Sequence, residues 1–114
     1  MKKYYMTWEE VWERALNIKS SVNGSDFNGS AFGIPRGGSV VAGIMGNAVM
    51  TWEEADYLVD DIYDSGKTAQ RWEAKTGKKV VCLVDKRRSE DADLGWVVFP
   101  WEERDGTSDI EDTV

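Results

Sequence analysis

The sequence has no histidine and a single cysteine, Cys82. The first absence removes Ser-His-Asp and Cys-His catalysis, and with them every zinc site that needs imidazole. The second removes an internal disulfide framework and any multi-cysteine metal centre. Proline occurs only twice, and no stretch approaches the roughly 18 to 20 apolar residues of a membrane span. Positive charge is also scarce: 14 basic residues face 21 acidic ones, a formal net charge of −7. Such a chain is poorly suited to gripping nucleic acid or an anionic membrane surface. What remains for chemistry is carboxylates, Lys, Arg, backbone amides and hard cations held by oxygen. The 114 residues, 41% hydrophobic and 31% charged, have the profile of one soluble globular domain. The start, Met1 to Tyr5, is basic but has no apolar run behind it, so it does not read as a secretory signal. A reduced, cytoplasmic setting is the expectation.

Thr7 and Glu10 form a capping-box pattern, and Trp8, Val11, Trp12, Ala15 and Leu16 recur at helical spacing. A helix from about Thr7 to Ser20 should bury an aromatic face, followed by a polar turn over Ser21–Ser25. Ser30–Ile34 reads as a strand, Pro35–Gly38 as a glycine turn, and the uncharged segment Ser39–Ala48 as a buried helix. Thr51–Glu54 repeats the Thr-Trp-Glu-Glu of 7–10, but the flanking sequences diverge, which indicates two capping turns and no internal repeat. Tyr57–Val59 is a second strand, Asp60–Lys67 an acidic loop, Thr68 to about Ala74 a helix, and Lys79–Val84 a continuous apolar strand. Strand, helix, strand, helix, strand predicts an α/β fold with a mainly parallel central sheet. Cys82 lies within the last strand as an expected buried, inert thiol. Gly95–Trp101 is a final apolar segment. From Glu102 onward six carboxylates stand against Arg104 alone, so residues 1–103 are expected to form one domain and 104–114 an acidic tail.

Ligands of open parallel sheets bind at the carboxyl ends of strands, where glycine loops enter helix N-termini. Two loops of this kind are present. In Pro35-Arg36-Gly37-Gly38-Ser39 the paired glycines let backbone amides approach an anion and Arg36 adds a fixed cation, although a plain tight turn would look the same. The second, Asp60-Asp61-Ile62-Tyr63-Asp64-Ser65-Gly66-Lys67-Thr68, places carboxylates for sugar hydroxyls or a Mg²⁺ shell ahead of amides and hydroxyls suited to phosphate. A Walker A loop would need glycine at position 61 and an EF-hand would need Asp or Asn at 62; Asp61 and Ile62 exclude both.

The segment 57–69 resembles the 5-phosphoribosyl-1-pyrophosphate (PRPP) motif of type I phosphoribosyltransferases: apolar strand, Asp-Asp, two residues, Asp, Ser/Thr-Gly-x-Thr. Ile34–Gly38 sits where that family has its pyrophosphate loop. Lys86 and Trp96-Val97-Val98-Phe99-Pro100-Trp101-Glu102 look like the short xanthine–guanine members. The resemblance spans about residues 27 to 103 and implies a three-layer fold with a reduced C-terminal hood. It implies that Asp60 and Asp61 hold the ribose hydroxyls with or through Mg²⁺, and that Asp64 acts as general acid or base near a purine N7. Ser65, Gly66, Lys67 and Thr68 would cradle the 5′-phosphate, while Arg36, Gly37 and Gly38 would meet pyrophosphate. Lys86 would bind an exocyclic oxygen of a 6-oxopurine, Trp96 would stack on the base and the Val97 backbone would read its edge. Two of these residues keep a plainer alternative: core packing for Trp96, and a solvated basic turn for Lys86 with Arg87 and Arg88. The expected partners are thus PRPP and a purine base, with no nucleic acid and no membrane; a homodimer, common among relatives, is a further expectation.

One departure is visible. Only a few residues separate Ala48 from Tyr57, where the family carries another strand and a long loop that closes over PRPP. The resemblance therefore implies a deleted lid, which leaves a non-catalytic PRPP- or nucleotide-binding module as the second expectation.

Overall fold

The computed structural model describes residues 2–23 and 29–102. Nine elements follow one another: β1 (Lys3–Tyr5), α1 (Trp8–Asn23), β2 (Ala31–Gly33), α2 (Gly37–Met45), β3 (Tyr57–Tyr63), α3 (Lys67–Thr76), β4 (Val80–Asp85), α4 (Ser89–Ala92) and β5 (Trp96–Val98). The central sheet has the order β2-β3-β4 and is wholly parallel. Side chains alternate across it as the pleat requires. Ala31, Tyr57 and Val59 join Val11 and Ala15 of α1 and Val41 and Met45 of α2 in one cluster. Leu58, Val80 and Cys82 join Ala69 and Trp72 of α3 in the other, with Phe32 packed against them. Helices thus cover both faces, the three-layer α/β arrangement expected from the alternating pattern.

The link from α2 to β3 explains why these helices lie on opposite faces. Gly46, at φ 81°, ends α2, and residues 47–49 then run beside β2, where Ala48 makes a single parallel bridge to Ala31. The Ala31 amide donates to the Asn47 carbonyl and the Val49 amide to that of Ala31. This bridge lies on the edge of β2 away from β3, so the chain must recross the sheet. It does so through a 3-10 turn at Trp52–Glu54, packing Val49, Trp52 and Ala55 into the cluster with α3. The two crossovers then share one hand, and twisted strands favour the right-handed one.

Several boundaries differ from expectation. The Thr7 hydroxyl accepts the Glu10 amide at 3.1 Å, but Glu10 does not complete the capping box; its carboxylate accepts the Tyr4 hydroxyl at 2.7 Å. The expected turn at Ser21–Ser25 is helix as far as Asn23, and its remainder lies outside the described residues, as does the acidic tail over 104–114. The aromatic face of α1 is not buried. Val11 and Ala15, small enough for close approach, meet the core, whereas Trp8, Trp12 and Leu16 stay about half exposed. The start of the chain, for which no element was expected, forms β1 and pairs in parallel with β5, so the hood is a two-stranded sheet built from both ends of the described chain. Phe99 anchors it in the core and stacks on Trp101 at 4.8 Å. None of the described helices is long and apolar enough to cross a membrane.

Candidate functional site

The loop after β2 is closed by backbone packing. A Cβ on Gly33 would collide with the Gly38 carbonyl, and one on Gly38 with the Val59 carbonyl of β3. Side chains are excluded at both places by main chain that cannot yield. The Pro35–Arg36 peptide is cis, and Arg36 is the N-cap of α2. The helix begins at Gly37, two residues earlier than expected, so Gly37 and Gly38 belong to its first turn, where the Ser39 amide donates to the Arg36 carbonyl at 3.1 Å. A Cβ on Gly37 would overlap Oδ2 of Asp61. The two loops singled out in the sequence are therefore in contact.

Asp60 and Asp61 lie on β3, not in a loop, because the strand continues to Tyr63 by pairing with Val84 and Asp85 of β4. The acidic loop shrinks to 64–66. Asp60 is only 8% exposed and its Oδ1 accepts the Asp61 amide at 2.9 Å. Burial, reinforced by the neighbouring Asp61 charge, pushes its carboxyl up to about 7 in spite of that hydrogen bond. Asp61 is half-buried, and its Oδ1 accepts the Ile62 amide at 2.8 Å. Each carboxylate thus gives one oxygen to the backbone. Among the described residues no cluster of three metal-ligating side chains exists. Two carboxylates with spare oxygens could complete the shell of a Mg²⁺ that arrives with polyphosphate and sugar oxygens.

Asp64 and Ser65 are exposed at the tip, followed by buried Gly66 at φ 87° and by exposed Lys67 and Thr68, which open α3. Ser65 Oγ accepts the Lys67 amide at 3.3 Å, and Gly66 is an N-cap with no side-chain cap. The Thr68 and Ala69 amides follow in the first turn, at the positive end of the helix, a position that can receive an oxyanion.

Lys86 and Trp96, the residues expected to meet a base, are tied to the same edge. The Lys86 amide donates to the Tyr63 carbonyl at 2.9 Å, which ties the end of β4 to the residue before Asp64. Its Nζ donates to the Gly95 carbonyl at 2.6 Å, immediately before Trp96. Trp96 is 57% exposed, which disposes of the core-packing alternative. The Trp96 amide and Val98 carbonyl bond to β1, at Lys2 and Met6. By the alternation of a parallel ladder the amide and carbonyl of Val97 point away from β1, while its side chain is buried.

Arg87 and Arg88 lie in an exposed turn, as the plainer alternative expected, but both are ion-paired there. Arg88 and Arg14 both grip Asp91, a fully buried carboxylate, at 2.9 and 3.0 Å, and Asp91 also accepts the Asp85 amide. Burial would raise the Asp91 carboxyl, but the two guanidinium groups and that amide outweigh it and hold it below its usual range. Arg87 is bound at 2.9 and 2.7 Å by Asp85 and lies over the Tyr63 ring at 3.7 Å. Sequence reasoning missed Tyr63, Asp85 and Asp91; an acid two residues before Arg87 and another three after Arg88 were the available signal. Cys82 is 6% exposed, and burial drives its thiol up to about 12, as befits an inert core cysteine. An open groove of about 600 Å³ runs along the outer edge of β4, bordered by Arg14, Ile18, Val80 and Arg87, outside the two loops.

No family model and no curated protein matches this sequence. Among solved structures the chain is similar to the purine phosphoribosyltransferase from Pyrococcus horikoshii Ot3, with a TM-score of 0.61 and 23% identity over 90% of this chain and 95% of that one. The architecture is a phosphoribosyltransferase-like α/β fold with parallel strands.

Proposed function

We propose that the protein binds PRPP with Mg²⁺ and transfers its phosphoribosyl group to a purine base, a 6-oxopurine, releasing pyrophosphate. One observation carries this reading: the glycine loop at 37–38, the Asp60–Thr68 segment and the Lys86–Trp96 pair meet on one edge through Asp61–Gly37, Tyr63–Lys86 and Lys86–Gly95 contacts. Three ligand chemistries are then side by side: amides for phosphates, carboxylates for sugar hydroxyls, and an aromatic face with a cation for a base. The likeness to a purine phosphoribosyltransferase supports the same reading through the fold.

In this proposal Asp60 and Asp61 hold the ribose hydroxyls, directly or through Mg²⁺. Ser65, Gly66, Lys67 and Thr68 bind the 5′-phosphate, while Arg36, Gly37 and Gly38 bind pyrophosphate. Lys86 leaves the Gly95 carbonyl for the exocyclic oxygen of the base, Trp96 stacks on the ring and Val97 reads its edge. Asp64, exposed at the loop tip, exchanges the base proton while positive charge develops at the anomeric carbon. Mg²⁺, where present, supplies charge neutralisation of the departing pyrophosphate.

The test is pyrophosphate release from PRPP and Mg²⁺ with guanine, xanthine, hypoxanthine, adenine, orotate, uracil or no base. Release that depends on a 6-oxopurine is the expected result; saturable PRPP binding with no release for any base would replace transfer by a binding module. That second reading has an observation of its own, because the link between α2 and β3 holds only a single bridge and a 3-10 turn where a closing loop would be needed.

A further inference from the structure

The Tyr63 ring is packed on two sides by groups that belong to neither the sheet nor the hydrophobic clusters alone. On one side the Arg87 guanidinium lies 3.7 Å from the ring centroid, inside the range of a strong cation–π contact. That guanidinium is fixed by a two-point pairing of Nε and Nη2 with the Asp85 carboxylate, which in turn lies well below its usual range because of it. On the other side the phenol sits directly against Gly66. A Cβ at Gly66 would collide with Oη, and Gln70 Nε2 of α3 donates to that same oxygen at 3.3 Å. Asp85, Arg87, Tyr63 and Gly66 therefore form a column running from the end of β4 to the turn at 64–66. Gly66 adopts φ 87° there, so the turn takes its shape from backbone freedom, and the Tyr63 phenol is the wall it rests on.

We propose that Arg87 and Tyr63 are positioning residues for the 5′-phosphate loop: the guanidinium, held by Asp85, fixes the Tyr63 ring, and the ring fixes the Gly66 turn and hence the direction of the amides that open α3. Neither side chain is assigned contact with the ligand. The inference rests on the phosphate-binding reading of 65–68 and names how that site is kept in shape. A loop of three residues between strand and helix has few internal bonds, so a preformed amide cradle needs support from outside. Shape, not charge alone, is required: a lysine at 87 would keep the charge but lose both the two-point pairing and the planar stack.

The experiment compares wild type with Arg87→Ala, Arg87→Lys, Tyr63→Phe and Tyr63→Leu, using titration calorimetry with ribose 5-phosphate, PRPP and pyrophosphate, and amide hydrogen exchange of the free proteins. Arg87→Ala, Arg87→Lys and Tyr63→Leu should each weaken ribose 5-phosphate and PRPP by about tenfold, while pyrophosphate, held by the other loop, changes by less than about twofold. Tyr63→Phe keeps the stack and should stay close to wild type. The Arg87→Ala/Tyr63→Leu double variant should be no worse than the worse single one, as expected for links of one column. Exchange should rise at 64–68 and stay unchanged in β3 and β4, and in turnover KM for PRPP should rise with kcat retained. Loss of pyrophosphate binding to the same degree, rescue by Arg87→Lys, or unchanged exchange at 64–68 in Arg87→Ala would each overturn the inference. A wild-type protein that binds neither ribose 5-phosphate nor PRPP would instead overturn the proposed function on which it stands.

Discussion

Two neighbouring carboxylates show how much a single position in the fold decides. Asp60 is buried and its carboxyl is pushed up to about 7, while Asp64, four residues on, is exposed at the loop tip. A carboxylate raised in the folded state stabilises the protein only in its protonated form. Its contribution is complete below the unfolded value of about 4 and is lost as pH rises through about 7. Asp60→Asn, which can still accept the Asp61 amide, should therefore leave the melting temperature unchanged near pH 4, raise it increasingly toward pH 7 and hold that gain above pH 7. Melting curves from pH 4 to 8 test this; a gain of equal size at every pH would contradict it. Asp64→Asn is expected to preserve PRPP affinity while lowering turnover by about 100-fold or more, the scale of a lost proton transfer. Calorimetry beside steady-state kinetics separates the two quantities, and unchanged turnover would remove Asp64 from its assigned role.

At the scale of elements, the short helix α4 and the long helix α1 are joined to β4 through one side chain. Asp91, with no exposure, receives Arg14 from α1, Arg88 from the turn before α4 and the amide of Asp85 from β4. Both arginines also donate to the Leu83 carbonyl, at 3.3 and 3.0 Å. Removal of the carboxylate would strand two cations beside the core. Asp91→Ala should cost about 2–4 kcal/mol in urea unfolding, toward the lower side of a broken buried pair because Arg88 remains 43% exposed. A loss below about 1 kcal/mol would show that the arginines find water instead. Only the spacing of Asp91 from Arg88 was available beforehand, because a four-residue helix has no periodicity and an Asp among Glu90, Asp91 and Asp93 carries no mark of burial. The hood gives the same lesson: β1 and β5 have three residues each and pair across more than ninety positions, so local pattern identified only the apolar one. The α1 stripe failed for another reason. Helical spacing marks an apolar arc, and the arc on α1 is wider than the neighbours available to cover it, so Val11 and Ala15 are taken in while Trp8, Trp12 and Leu16 stay half exposed.

The whole molecule carries a small sheet with both faces covered. Among the described residues no closing segment lies between α2 and β3, and the loop tip at Asp64 and Ser65 is exposed. If transfer occurs here, it should be accompanied by hydrolysis. Incubation of PRPP, Mg²⁺ and protein without base should release pyrophosphate at a measurable fraction of the base-dependent rate, and the fraction should fall as the purine is raised to saturation. No base-free release beside fast transfer would contradict a site open to water.

The strand–helix–strand–helix–strand order of the central sheet, its parallel sense, the buried Cys82 and the two loops that follow β2 and β3 were legible in the sequence. Each of these rests on contiguous signals: apolar runs of strand length, paired glycines after a strand, and a carboxylate-rich segment opening into Gly-Lys-Thr. The end of a strand at a glycine turn is likewise local, whereas the reason for glycine at 37 and 38 is not: Asp61 and the Val59 carbonyl of β3 leave no room for a Cβ there. Tertiary structure alone decided which loops touch, that Lys86 rests on Gly95, that Asp60 is buried beside exposed Asp64, and that Arg87 stacks on Tyr63. Those outcomes depend on groups far apart in the chain meeting in space. Burial and pairing are properties of such meetings, and no residue type or spacing encodes them by itself.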